Sequence, residues 1–462
     1  MPGPAVASVI DARIGRILSD LRPAGRPAPE SLSARLSQTA TPGASLCVID
    51  GWQIAWSRAC GRRARDDATP VTPETRFQAA SLSKPVFALA VLRLVAAGTL
   101  DLDADVNAYL TSWQVPAVAG WQPRVTLRQL LSHTAGTNLE HLIGYPAGGP
   151  WPTLVQALDG APPANHPPVR VERLPGLQVQ YSGGGTMIAQ QAVVDRLGRP
   201  FAALMDALVL APLGMTASSF AQPPDAAAEL ALGHPWNGVA IPGGWHVYPE
   251  QAAAGLWSTP TDLARVGLEM MRAATGRGSA LGLPQALAAE MLRAQLADTP
   301  LDERAPGLGW FRSGDGARLM FGHRGWNEGY VSELRCYPAT GQGAAVMLNA
   351  NQGAPLRDEI MAALGRDYGW PDSAAPTAAA TAPPECAGPY VDPHGRRVVV
   401  TVDAEAIVLE WPAQPPLRLH RIGDGYGTGA LTLRVRFEAP AAMIITQNGT
   451  ILRLTREARS LD

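Results

Sequence analysis

Residues 86–97 are apolar at nearly every position, Arg93 being the charged interruption. Such a run predicts a helix buried on all sides, because a surface helix would leave a polar stripe. Pro85 suits its first turn, where a missing N–H has no intrahelical partner to lose. Upstream, residues 44–49 and 53–59 are apolar and rich in β-formers, and Asp50-Gly51 between them predicts a hairpin. Further helical patterns occupy 31–36, 126–131 and 187–197, while 331–337 and 343–348 read as two adjacent strands. Strands that bracket buried helices predict an α+β fold, an α/β sandwich in which helices pack on an antiparallel sheet.

The two ends follow other patterns. Ile14, Ile17, Leu18 and Leu21 alternate with Asp11, Arg13, Arg16 and Asp20, which predicts an amphipathic helix within an N-terminal helical extension, residues 1–40. These residues lack the apolar core of a secretory leader, so the expectation is a cytoplasmic protein. Residues 371–384 are an Ala/Pro/Thr stretch that reads as a linker between a domain at 41–370 and another at 385–462. In the latter, short alternating segments at 397–402, 406–411, 431–437, 443–447 and 450–454, the last two joined by Asn448-Gly449, predict a small antiparallel β-barrel.

Composition narrows the function. The chain has 462 residues, is 46% hydrophobic and carries a formal net charge of -2. That supports a large core and offers no basic field for nucleic acid or a membrane surface. Cys47, Cys60, Cys336 and Cys386 are far apart and the histidines do not share ligand spacing, so the expectation is free thiols, no metal and no cofactor.

Lys84 is the only lysine in the chain, and every other cationic side chain of the Lys/Arg pair is arginine. Arginine stays protonated, whereas a desolvated lysine can give up its proton near neutral pH. Ser81 lies three residues earlier, at the start of the buried helix, so the two side chains sit one turn apart on one face. Free N–H groups at the helix start would favour a developing oxyanion there. The spacing therefore predicts a serine nucleophile beside its base; the alternative is a plain N-cap with a solvated lysine. Ser132 and His133 are adjacent and cannot easily aim at one point, so they read as capping residues. Residues 146–175 are rich in Pro and Gly and predict an irregular cleft rim. They lead to Tyr181-Ser182-Gly183-Gly184-Gly185, where glycines permit close backbone approach and Tyr181 can project into a pocket. His323 stands between glycines at a strand start, within reach of a cleft wall.

Ser81-Leu82-Ser83-Lys84, Tyr181-Ser182-Gly183 and His323-Arg324-Gly325 resemble, in order and separation, the three motifs of the penicillin-recognising serine hydrolases. The stretch from 41 to 370 is similar to their class C β-lactamase-related branch, which includes esterases and D-aminopeptidases. The resemblance implies Ser81 as nucleophile, Lys84 and Tyr181 as the proton-handling pair, and His323 in place of the third-motif lysine. It implies an oxyanion hole from the N–H groups of Ser81 and Trp326, with Gly183, Arg324, Gly325 and Asn327 facing substrate. Arg324 has an alternative, a side chain alternating away from the cleft. Gly183 stands where β-lactamases and transpeptidases carry asparagine, and His323 where they carry lysine. The pattern is closer to esterases, D-amino-acid peptidases and amidases, or peptide-cyclising thioesterase-like members, than to β-lactamases or D-Ala-D-Ala carboxypeptidases. The substrate implied is a small molecule or short peptide, hydrolysed or transferred through an acyl-enzyme; the C-terminal part resembles a lipocalin-like barrel. A catalytically dead scaffold of the same fold is the contrasting possibility.

Overall fold

The hairpin at residues 44–59 forms, and it opens the central sheet of the protein. β1 (Gly43–Asp50) and β2 (Gln53–Gly61) turn at Gly51 and Trp52, both with positive φ, as a tight right-twisted hairpin requires. The computed structural model describes every residue except 1–3, 23–27, 226–228, 237, 297–304, 373–383, 394, 403–405, 413–415, 423–424, 428–432, 439–440, 448–449 and 458–462. Most of the expected linker and the Asn448-Gly449 turn therefore lie outside the described residues. The chain divides into two units, one containing Pro27–Asp372 and the other Ser373–Asp462.

In the first unit β3 (Ala305–Pro306), β4 (Phe311–Ser313), β5 (Met320–Asn327), β6 (Tyr330–Tyr337) and β7 (Gln342–Leu348) complete a seven-stranded antiparallel sheet, order β2-β1-β7-β6-β5-β4-β3. Both faces are covered, which is why its central strands read as continuous apolar runs. In β1, Leu46 and Val48 point to one apolar layer while Cys47 and Ile49 point to the other. The first layer is closed by α1 (Pro4–Ser19), α2 (Leu32–Gln38) and α8 (Ala354–Tyr368), through Ile14, Ile17, Leu36, Ile360 and Leu364. The N-terminal helices thus belong to the core of this unit.

The second layer holds α3 (Ser83–Ala96), α4 (Leu127–Leu131), α5 (Gly183–Leu197), the single turn α6 (Gln251–Ala254) and α7 (Pro260–Ala274). α3 is enclosed from Ser83 through Leu92, matching its unbroken apolar pattern. Among the described residues no helix is long and apolar enough to cross a membrane.

A polar cluster interrupts the first layer, the outer one of the two; the second is the inner layer. Glu333 on β6 is buried and takes Arg324 Nε at 3.1 Å, Arg335 Nη2 at 2.7 Å and Arg357 Nε at 3.4 Å. Removing the carboxylate would leave three guanidinium groups crowded around a desolvated gap. Glu333→Ala is expected to cost about 3–5 kcal/mol of unfolding free energy in a urea titration; a change under about 1 kcal/mol would show that solvent already screens the cluster.

The second unit is an eight-stranded antiparallel barrel. β8 (Gly388–Val391), β9 (Arg397–Val402), β10 (Ala406–Glu410), β11 (Leu417–Ile422), β12 (Gly425–Gly427), β13 (Leu433–Glu438), β14 (Ala442–Gln447) and β15 (Thr450–Arg456) follow in order, and β15 pairs with β8 to close the ring. Val398, Val400, Ile407, Leu409 and Val435 fill its interior. β8 and β12, of four and three residues, are too short to leave a pattern in the sequence, whereas β11 alternates Leu417 and Leu419 with Arg418 and His420, a strand signal absent from the segments named above.

Candidate active site

Ser81 sits in a one-turn 3-10 segment, Ala80–Leu82, that runs directly into α3. The position before it is strained: Ala80 has φ +53 with no glycine to relieve it. Surrounding bonds hold the turn in place. Ser332 Oγ on β6 donates to Ala79 O at 2.9 Å, and Ser83 Oγ donates to Ala80 O at 2.6 Å. The Leu256 N–H donates in turn to Ser83 Oγ at 3.0 Å. The N-cap of α3 is Leu82, without a side-chain cap bond, so Ser81 does not serve as the cap.

Lys84 is 4% exposed, and its Nζ lies 3.0 Å from Ser81 Oγ. It also donates to Ala253 O at 2.8 Å and stands 5.0 Å from the centre of the Tyr181 ring. Burial pulls its pKa down to about 7, because a desolvated ammonium is costly. The carbonyls at the end of α6, which have no intrahelical donor, thus find partners here: Ala253 takes Lys84 and Ala254 takes Asn327.

Burial pushes the Tyr181 phenol pKa up, against the opposing effect of the neighbouring Ser81 side chain. Its ring is packed on several sides. His133 lies at 4.3 Å between centroids, and Phe311 and His323 each at 6.1 Å. His323 is buried on β5, its Nδ1 2.6 Å from Arg324 O.

The structure therefore brings Ser81, Lys84, Tyr181 and His323 together, and it separates other residues expected at the site. Arg324 is on the opposite face of β5, where it bonds Glu333 and reaches Asp358 Oδ1 at 3.0 Å; strand alternation puts it away from Ser81. Asn327 is 1% exposed, and its amide donates to Gln78 Oε1 at 2.8 Å and Ala254 O at 3.1 Å, so it ties internal segments together instead of meeting substrate. Gly325 also faces inward: a Cβ there would lie 2.4 Å from Ala79 O and 2.1 Å from Ser332 Oγ. This close approach sets the Trp326 backbone beside the Ser81 turn. The Trp326 side chain lies on the other face, against the outer layer. Gly183 opens α5 and is covered by Leu142.

The sequence places His133 with Ser132 among capping residues, and the structure parts the two. Ser132 does cap, donating to Arg128 O at 2.7 Å, whereas His133 adopts φ +57 and turns its ring onto Tyr181. Its Nδ1 accepts the Ser182 N–H at 3.3 Å. Burial, with Lys84 and His323 nearby, pushes its pKa well down, so the ring stays neutral. The left-handed backbone that turns His133 away from Ser132 left no signal in residue spacing.

A family model described as Beta-lactamase matches residues 28–365. Esterase EstB of Burkholderia gladioli is 32% identical over 321 residues, spanning 64% of this chain and 76% of that protein. The crystal structure of SurE superposes with a TM-score of 0.60 at 24% identity, over 98% of this chain and all of that one. D-amino acid amidase from Ochrobactrum anthropi SV3 superposes with a TM-score of 0.58 at 21% identity, over 78% of this chain and 99% of that one. The two structural likenesses concern the fold; the family match and the esterase relative, taken with it, place the chain in the beta-lactamase family, as a serine hydrolase.

Proposed function

We propose that the protein forms an acyl-enzyme on Ser81 and hydrolyses, or transfers, an ester or amide of a small acyl or D-amino-acyl group. The observation that carries this reading is Lys84 Nζ at 3.0 Å from Ser81 Oγ with its pKa lowered to about 7. The opposite shifts of lysine and tyrosine divide the labour: a neutral amine accepts a proton, and a phenol held protonated donates one. Ser81 Oγ attacks the substrate carbonyl carbon while its proton passes to Lys84 Nζ. The carbonyl oxygen, now an oxyanion, is met by the N–H groups of Ser81 and Trp326, an arrangement worth on the order of several kcal/mol. As the tetrahedral intermediate collapses, Tyr181 gives its proton to the departing oxygen or nitrogen and is reprotonated from Lys84. Water, or another nucleophile, then attacks the acyl-serine by the reverse path. His323 and His133 pack around the phenol and hold its ring. The likeness to an esterase supports testing esters first.

The test is intact-mass spectrometry after incubation with a fluorophosphonate, alongside turnover of p-nitrophenyl butyrate, a D-alanine ester and nitrocefin. The expected result is one adduct mapping to Ser81, loss of all turnover on labelling, and the esters ahead of nitrocefin. An adduct on another residue, or butyrate turnover that persists once Ser81 is fully labelled, would sink the mechanism.

A further inference from the structure

The space beside Gly183 is already taken. A Cβ at this position would lie 2.9 Å from Leu142 Cδ1 and 3.1 Å from its Cγ, with Leu139 O at 3.6 Å. An asparagine side chain, as the related β-lactamases carry here, would have to grow through Leu142, which is 8% exposed and part of the inner apolar layer. The loop that carries this leucine is tied down on both sides. Leu139 O accepts the N–H groups of Gly183 at 2.8 Å and Gly184 at 3.2 Å. The Asn138 amide bonds Pro168 O at 3.0 Å and the Arg170 N–H at 2.8 Å, and Tyr248 Oη donates to Ile143 O at 3.3 Å. From this anchor the loop reaches the end of β5, where the His141 ring meets Trp326 edge-on at 6.4 Å. The stretch 138–143 thus passes from the start of α5, two residues from Tyr181, to the strand that bears His323, and it exposes Ile143 at its surface.

We propose that Leu142 is a specificity-determining residue, an apolar wall standing where a substrate-binding amide would otherwise be. It favours acyl groups with an apolar body. It disfavours substrates anchored through an amide next to the scissile carbonyl, because that amide would lose its water and gain no partner. The proposal rests on the acyl-enzyme reading above.

Four proteins test it: wild type, Leu142→Ala, Gly183→Asn and the double variant. Each is assayed with p-nitrophenyl acetate, butyrate and octanoate and with N-acetyl-D-alanine p-nitroanilide, whose acetamido group lies next to the scissile carbonyl, and each is labelled with fluorophosphonate. Wild type with neither turnover nor label would fail the acyl-enzyme reading itself, separately from this proposal. Given labelling, Leu142→Ala is expected to raise octanoate relative to acetate by about 10-fold or more, as an emptied apolar pocket does. Gly183→Asn alone is expected to lose activity on every substrate. The double variant is expected to recover label and to raise the anilide-to-butyrate ratio of kcat/KM about 10-fold or more above wild type. The proposal is overturned if the acyl-chain ranking of Leu142→Ala matches wild type, or if Gly183→Asn alone is fully active and shifts the ratio as far as the double. Should the double variant fail to fold by circular dichroism, the acyl-chain ranking of Leu142→Ala decides alone.

Discussion

Ser81→Ala and Lys84→Arg are each expected to lower kcat/KM for an activated ester by about 10⁴-fold, and the double variant by no more, since nucleophile and base act as one unit. Arginine keeps the positive charge but cannot take the proton from Ser81, so charge alone will not rescue the reaction. A Lys84→Arg enzyme within tenfold of wild type would remove lysine from the role of base. The same burial sets the pH dependence. The proposed reaction requires neutral Lys84, so kcat/KM is expected to rise with pH through about 7 and then level off. Stability carries the matching signature. The folded-state pKa of about 7 lies below the ordinary 10.5, so the unfolded chain binds the extra proton between these values, and Lys84 destabilises the fold fully below about pH 7. That cost fades as pH rises towards 10.5. Lys84→Met should therefore stabilise the inactive protein by about 3–5 kcal/mol at pH 6 and by little at pH 10, measured by urea unfolding. Equal gains at both pH values would mean that Lys84 is not desolvated in the fold.

Gly325→Ala is expected to cost both stability and activity. Its Cβ would stand 2.1 Å from Ser332 Oγ, a side chain that can rotate, and 2.4 Å from Ala79 O, a backbone atom on the strained turn that carries Ser81. Relieving the second contact means moving β5 away from that turn. Stability should fall by about 3 kcal/mol or more. In the protein that remains folded, the Trp326 N–H would be displaced from the oxyanion position proposed for it, lowering kcat by about 10²-fold with less effect on KM. Adding Ser332→Ala is not expected to restore either quantity, because the Ala79 carbonyl stays in place. Full rescue by Ser332→Ala would assign the clash to the serine alone and detach Gly325 from the geometry of the site.

Much of this site was legible from local spacing. A lone lysine three residues after a serine, ahead of a run of apolar positions, describes two side chains on one turn of a buried helix, and that is where Ser81 and Lys84 stand. Strand alternation already offered the alternative that Arg324 faces away from His323, and the ion pair with Glu333 realises it. Asn327 and Gly325 were harder. A polar residue and a glycine beside a catalytic motif look the same in sequence whether they face substrate or an internal segment. The difference lies in Gln78, Ala79 and Ala254, which come from elsewhere in the chain.

Sequence periodicity by itself determined the hairpin, the buried helix and the pairing of Ser81 with Lys84, because each depends on residues within a few positions of one another. Only the tertiary structure decided which groups complete the site. Ala253, whose carbonyl holds Lys84, is 169 residues away along the chain. His133 reaches Tyr181 through a left-handed backbone, and Leu142 closes the space over Gly183 from a separate loop. The lowered lysine pKa follows from the same cause: desolvation is a property of everything packed around a group, and that packing is set by segments remote in sequence.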